Sequence, residues 1–381
     1  MALNLSKLFD RLTQPSFLRN IDPAAKDVAA LKKAKADIQQ HLKVEIPLWL
    51  ESKLGEKPKH SPRFRTQGSW AYQTCNDPCQ SPPQEIDWDL GIYLPVSFWE
   101  DSKVHPQVTA KAYYGMVREV MTPLTQKLNW TLTEKPTCVR VLLSNGARAH
   151  VDLPLYAAPD KDFMQIKETV AKTQIYADST QDENAWASLT RIALARKDGT
   201  WDPSDPGRVV IWFDGKIRRH GEQLRRVCRY LKAWRDNLCP SGGPSSIVLM
   251  VCAAQTFDRA QAEFSGRDDL ALRQVLRALP DQLQMSVKEP MIDPNEDLNR
   301  LDDRERADAS RHASHFLASI DQALSEDFDN RINAIALVRL HLGDRFPGDP
   351  SGVTPDDGPT NIRTVPAERR PRPVIMPTKA G

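Results

Sequence analysis

Residues 85–95 read EIDWDLGIYLP, an alternating and then continuous apolar run closed by proline, which is the pattern of a β-strand. Side chains at i and i+2 of a strand share a face, so Asp87 and Asp89 project together. Two neighbouring carboxylates repel, and an otherwise apolar strand is a poor host for them without a cation. Hard oxygen donors suit Mg²⁺, which binds through one or two carboxylates plus substrate phosphates. A solvated acidic face is the competing reading, and the apolar remainder of the strand weakens it.

Working outward, Gly68-Ser69 lies upstream in RTQGSWAYQT, where a loop leads into a helix. A glycine lets backbone approach a phosphate, and a serine hydroxyl with helix N–H groups can hold it. Downstream, TCVRVLLS (137–144) and ARAHVDLPLYA (147–157) flank Asn145-Gly146, a strong hairpin signal. The return strand carries Asp152, a carboxylate that is costly to bury unless paired or metal-bound. A third carboxylate would complete a two-metal site for in-line phosphoryl transfer. Arg140 and Arg148 sit on the same hairpin, and strand parity leaves open whether either reaches phosphate.

Helical periodicity predicts helices over 24–57, with Val28, Leu31, Ile38 and Leu42 on the apolar face and Gly55 as the stop, and over 108–127. From Asp214 onward the pattern is helical. Lys216 to Asn237 carries apolar residues at 217, 224, 227, 228, 231 and 234, and its other faces are basic. Further helices are expected at 245–260, 267–279 and 303–342. No internal repeat is visible. Asp344 to Gly381 is 38 residues with eight prolines and few large apolar residues, the composition of a flexible tail.

The chain has 381 residues, a net charge of +2 and 40% hydrophobic residues, with mean hydropathy −0.52. Near-neutral charge argues against a protein that coats nucleic acid or anionic lipid. No apolar run reaches the ~18–20 residues of a membrane span, and the N-terminus lacks a secretory core, so a cytoplasmic address with no membrane partner is expected. Of six cysteines only Cys75 and Cys79 are close, which supports neither a disulfide scaffold nor structural zinc.

In combination, Gly68-Ser69, then Asp87 and Asp89 on a strand, then Asp152 on a later one resemble the polymerase-β-like nucleotidyltransferases. QGSWAYQT, the Asn76-Asp77-Pro78 turn, PQEIDWDLGIYLP and HVDLPLYA resemble more closely the cGAS/DncV-like branch of bacterial anti-phage (CBASS) systems. The likeness spans roughly residues 20–330. Eighteen positions separate Ser69 from Asp87, longer than is usual in the superfamily, and the insert CNDPCQSPPQE fits that branch.

The resemblance implies an α+β, bilobed fold: a polymerase-β-like core (mixed sheet with flanking helices) over 1–213, a helical C-terminal domain over 214–343, and the tail over 344–381. It implies that Asp87 and Asp89 hold two Mg²⁺ ions, with Mn²⁺ as a substitute, and that Asp152 ligates the metal activating the attacking hydroxyl. Gly68 and Ser69, with Gln67 adjoining, would hold the donor triphosphate. Lys232 and Ser246 would contact phosphate, against competing readings as a solvated face and a helix cap. Trp88 and Trp234 are expected in the core.

The implied activity is synthesis of a cyclic oligonucleotide second messenger from ATP and GTP, with cyclic GMP-AMP the first choice, by a monomer feeding a downstream effector. A linear nucleotidyltransferase and a non-catalytic nucleotide-binding scaffold are the alternatives. The family's association with E1–E2-like enzymes points to the terminal Gly381 as a conjugation point, against the plain reading of an ordinary tail.

Overall fold

Alternation and a closing proline make Ile86–Pro95 the central strand of an eight-stranded sheet. The computed structural model describes residues 2–11, 15–54, 61–95, 106–143, 148–159, 163, 192–260, 266–291 and 295–356. Within them the elements run β1 (Leu3–Asn4), α1 (Ser6–Phe9), α2 (Phe17–Asn20), α3 (Ala25–Leu54), β2 (Arg63–Thr66), α4 (Gly68–Ala71) and β3 (Ile86–Pro95). Then follow α5 (Pro106–Leu128), β4 (Thr131–Glu134), β5 (Val139–Leu142), β6 (Ala149–Leu153), β7 (Leu155–Ala158), β8 (Ala193–Ala195) and β9 (Trp201–Pro203). The rest is α6 (Pro206–His220), α7 (Glu222–Leu238), α8 (Ser246–Arg259), α9 (Asp268–Gln284), α10 (Asp303–Ser325), α11 (Arg331–Leu342) and β10 (Thr354–Pro355).

The sheet order is β4-β5-β6-β3-β7-β8-β9, with β2 also paired to β3. β6 and β7 keep one register along β3, both parallel to it, and the other pairings are antiparallel. The sheet is therefore mixed, as expected. Ile86, Trp88, Leu90 and Ile92 bury one face of β3 against Leu31, Ile38, Leu42 and Ile46 of α3 and against Tyr113, Met116 and Val117 of α5. Asp87 and Asp89 are left to the opposite face. The Asn145-Gly146 turn lies outside the described residues, although both of its strands are present.

A second core joins α6 to α11. Its apolar stripe at 217, 224, 227, 228, 231 and 234 is buried as anticipated, but the helix is not continuous. Gly221, at φ 78° and ψ 175°, divides it into α6 and α7. The expected helix over 303–342 is likewise divided, between Ser325 and Arg331.

Two expected boundaries move. Leu3, Leu5, Leu8, Phe9, Phe17 and Ile21 belong to the helical core rather than to the sheet's lobe, as does Phe213 of α6. Residues 344–356 are folded rather than tail-like: Phe346 and Val353 are buried in the same core, and β10 pairs with β1. Composition misled here because two well-placed apolar anchors suffice to hold a proline-rich segment. Residues 357–381, Gly381 among them, lie outside the described set. No described helix is long and apolar enough to cross a membrane, and all six cysteines are free thiols.

Candidate active site

β3 and β6 run in parallel register with Asp89 opposite Asp152 and Asp87 opposite His150. Asp87, Asp89 and His150 border one cavity of about 420 Å³, lined also by Gly68, Ser69, Arg140, Lys232 and Ser246 among others, and Asp152 Oδ1 stands 3.8 Å from His150 Nε2. The structure thus gathers most of the residues picked out by sequence.

The glycine turn explains how Asp89 fits. Gly68 has φ +62°, and a Cβ there would stand 2.0 Å from Asp89 Oδ2. Only a residue without a side chain lets the turn close on the carboxylate. The backbone N–H of Gln67 donates to Asp89 O at 2.9 Å, and Trp70 Nε1 donates to Asp87 O at 2.7 Å. Burial, then Asp87, then Asp152 raise the Asp89 carboxyl well above the ordinary carboxylate range, with Arg140 and Lys232 opposing.

Asp152 is held differently. Arg140, its register partner on β5, donates to both oxygens at 2.7 Å, and that pairing raises the guanidinium's proton affinity. Arg148 turns elsewhere, to Asp77 at 3.0 Å and Asp27 at 3.4 Å. Parity therefore brings Arg140 into the site and leaves Arg148 as a tether.

Gln67 departs from expectation. Its carboxamide is buried, donating to Tyr93 OH at 2.6 Å and accepting from Tyr156 OH at 3.1 Å, under a stacked Tyr93–Tyr156 pair. It is not among the residues lining the cavity and ties the turn to β3 and β7. Gly91 makes room, since a Cβ there would meet Gln67 Nε2 at 2.2 Å.

Lys232 is buried rather than solvated, its ammonium donating to Thr74 O at 2.7 Å. Burial lowers its proton affinity, while Cys75 and Asp87 oppose that effect. Ser69 Oγ is buried without a hydrogen-bond partner. Ser245, not Ser246, caps α8 by accepting from Val248 N, which frees Ser246 to line the cavity. Tyr72, Arg235 and Asp236 also line it and were not singled out by sequence: Tyr72 follows the Gly68-Ser69 turn within QGSWAYQT, and Arg235 and Asp236 sit at α7 positions that carry no motif. His150 was equally missed, although its place two residues before Asp152 puts it on the same strand face.

The donor chemistry fits a hard divalent cation at Asp87 and Asp89, where positive charge would relieve the repulsion that raises Asp89. Among the described residues no group of three or more His, Cys, Asp or Glu is set to hold a metal ion. Each Asp152 oxygen accepts one hydrogen bond from Arg140, which orients the third carboxylate and leaves lone pairs on both oxygens.

Comparison with known proteins gives two family matches. Residues 62–156 match the nucleotidyltransferase domain of cyclic GMP-AMP synthase, DncV-like, and residues 221–354 match the cyclic GMP-AMP synthase C-terminal domain. A cyclic GMP-AMP synthase of Escherichia coli is 35% identical over 248 residues, covering 61% of this chain and 55% of that protein. One from Vibrio cholerae is 32% identical over 245 residues, covering 60% and 55%. The chain thus spans about half the length of the curated relatives it matches. Among solved structures, the Vibrio cholerae cyclic AMP-GMP synthase DncV aligns with TM-score 0.75 at 21% identity, covering 92% of this chain and 99% of that one. The Escherichia coli DncV in its 3′-deoxy GTP bound form aligns with TM-score 0.71 at 21% identity, covering 92% and 99%. At that identity the structural likeness speaks for the fold.

Proposed function

The chain belongs to the DncV-like nucleotidyltransferase family of the polymerase-β superfamily, and from that premise we propose that it joins ATP and GTP into a cyclic oligonucleotide. A cyclic GMP-AMP is the product we favour, formed by two successive nucleotidyl transfers. One observation carries the reading: Asp87 and Asp89 share a strand face with Asp152, beside a glycine-serine turn, on a cavity that also contains a buried lysine.

In each transfer a ribose hydroxyl attacks an α-phosphate, the P–O bond to the β-phosphate breaks, and pyrophosphate leaves. Mg²⁺ held by Asp87 and Asp89 would neutralise the triphosphate and polarise the reacting phosphate. The chain's own groups position the reactants. Ser69, which lines the cavity, offers its hydroxyl to a phosphate oxygen. Lys232 supplies a desolvated point charge, and Ser246, on the same cavity, a hydroxyl. Asp152, oriented by Arg140, stands beside the pair as the third carboxylate, and that guanidinium lines the cavity as a further cation. Enclosure by both lobes suits a short product, because the linear intermediate must be received again for ring closure.

The test is incubation of the pure chain with labelled ATP, GTP and Mg²⁺, then phosphatase and mass spectrometry. Small phosphatase-resistant products absent from the Asp87→Asn/Asp89→Asn variant are the expected result. A phosphatase-sensitive ladder would indicate linear addition. Nucleotide binding without turnover would indicate a scaffold.

A further inference from the structure

His150 is 5% exposed, stands two residues before Asp152 on β6, and is the register partner of Asp87 on the neighbouring β3. Its Nδ1 lies 2.8 Å from Glu85 Oε2. An ionised carboxylate can only accept, so the shared proton sits on Nδ1, and in the neutral imidazole Nε2 presents a lone pair. That Nε2 is buried without a hydrogen-bond partner. Asp152 Oδ1 stands 3.8 Å away, beyond hydrogen-bond reach. The ring lines the cavity together with Asp87, Ser69 and Gly68. The site therefore contains an oriented acceptor with nothing yet donating to it, beside the carboxylate assigned to the attacking hydroxyl.

Phosphate oxygens of a triphosphate at neutral pH are acceptors and do not satisfy a lone pair. A ribose offers two vicinal hydroxyl donors. We propose that His150 Nε2 accepts a hydrogen bond from the ribose of the attacking nucleotide, at the hydroxyl beside the nucleophile. It thereby decides which of the two hydroxyls forms the phosphodiester. Glu85, with its side chain 37% exposed, is the positioning residue that fixes the ring and its tautomer. His150 neither takes nor gives a proton in this role; the attacking oxygen bonds to phosphorus and pyrophosphate leaves as before. The assignment rests on the nucleotidyltransferase reading above.

The experiment starts from wild-type turnover, and absence of any nucleotidyl transfer would overturn that parent reading and this one with it. With turnover in hand, product linkage (2′–5′ against 3′–5′) and rate are measured for His150→Phe, His150→Gln and Glu85→Leu. His150→Phe is expected to slow transfer by roughly tenfold or more and to yield mixed linkages. His150→Gln, whose carboxamide oxygen reaches the Nε2 position, should recover part of both. Glu85→Leu, altered at a partly exposed side chain, should shift linkage the same way and covers the case in which His150→Phe does not fold. With 2′-deoxy and 3′-deoxy acceptors, wild type and His150→Phe should become equal on the analogue that keeps the nucleophile and lacks its neighbour. Wild-type linkage in both His150→Phe and Glu85→Leu, with equal losses on ribose and deoxyribose substrates, would overturn this assignment alone.

Discussion

Three influences act together to raise the Asp89 carboxyl above the ordinary carboxylate range: burial, the Asp87 charge and the Asp152 charge. An acid with a raised folded-state pKa favours the fold below its unfolded value and loses that contribution as pH rises through the folded value. Asn carries no such dependence. The stability advantage of metal-free Asp89→Asn over wild type should therefore widen as pH rises from about 4, as read by thermal unfolding in chelator. The same variant should lose activity by a factor on the order of 10³ or more. Gly68→Ala forces a Cβ onto Asp89 Oδ2 at a left-handed backbone position, and should cost roughly 1–3 kcal/mol in a denaturant titration and abolish turnover. The carboxylate face of β3 was legible because strand parity puts Asp87 and Asp89 on one side, and the β3–β6 register then sets Asp152 beside Asp89. Gln67 was not, since adjacency to Gly68 says nothing of side-chain direction. The buried Tyr93 and Tyr156 hydroxyls decide it, and the sign available in sequence was a lone glycine, Gly91, inside a strand.

At the scale of elements, periodicity located the helices and missed their interruptions. The stripe from Ile217 to Trp234 stays in phase across the break at Gly221, so a hydrophobic pattern alone reads one helix where there are two. Gly221→Ala places a side chain at φ 78°, ψ 175°, and should lower stability by roughly 1–3 kcal/mol, measured as a shifted urea midpoint. The residues 75–85 insert, read only as a longer spacing, is a brace against α7. Gln84 Nε2 donates to Asp236 O and Cys239 O, while Asn76 and Arg229 exchange hydrogen bonds. Nothing in a loop's composition reveals which carbonyls it will satisfy. Between α10 and α11, His341 stacks on Phe316 and its Nε2 lies 2.9 Å from Ser319 Oγ. Burial, with His315 and His312 adding, pushes it down from 6.5 to about 4. A base with a lowered folded pKa gives stability that is whole above pH 6.5 and is lost as pH falls toward 4. His341→Gln should flatten that acid limb, compared by urea titration at pH 7 and at pH 4.5.

Across the whole molecule, Arg345 fastens three pieces that are far apart in sequence. It donates to Asp77 O at 2.9 Å and to Ala233 O at 3.0 Å, and its own carbonyl accepts from Asn20 Nδ2 at 2.8 Å. Arg345→Ala should destabilise by roughly 1–3 kcal/mol and raise the KM for nucleotide as the insert loosens from α7, checked by calorimetry and initial rates. The two-lobed plan was legible from the change of period at Asp214. The true seam was not, because Phe9, Phe17, Tyr230 and Phe346 form one aromatic cluster from three distant stretches. The pairing of Leu3 with Pro355, and of Leu5 N with Asp269, also governs the order of events on the ribosome. Leu5, Leu8 and Phe9 are made well before some of the surfaces that bury them, Phe346 and Val353 among them. At ~5–20 residues per second, that apolar leader waits between roughly 20 s and a little over a minute in the open. Ribosome-bound intermediates should therefore leave that segment open to protease until β10 has cleared the exit tunnel.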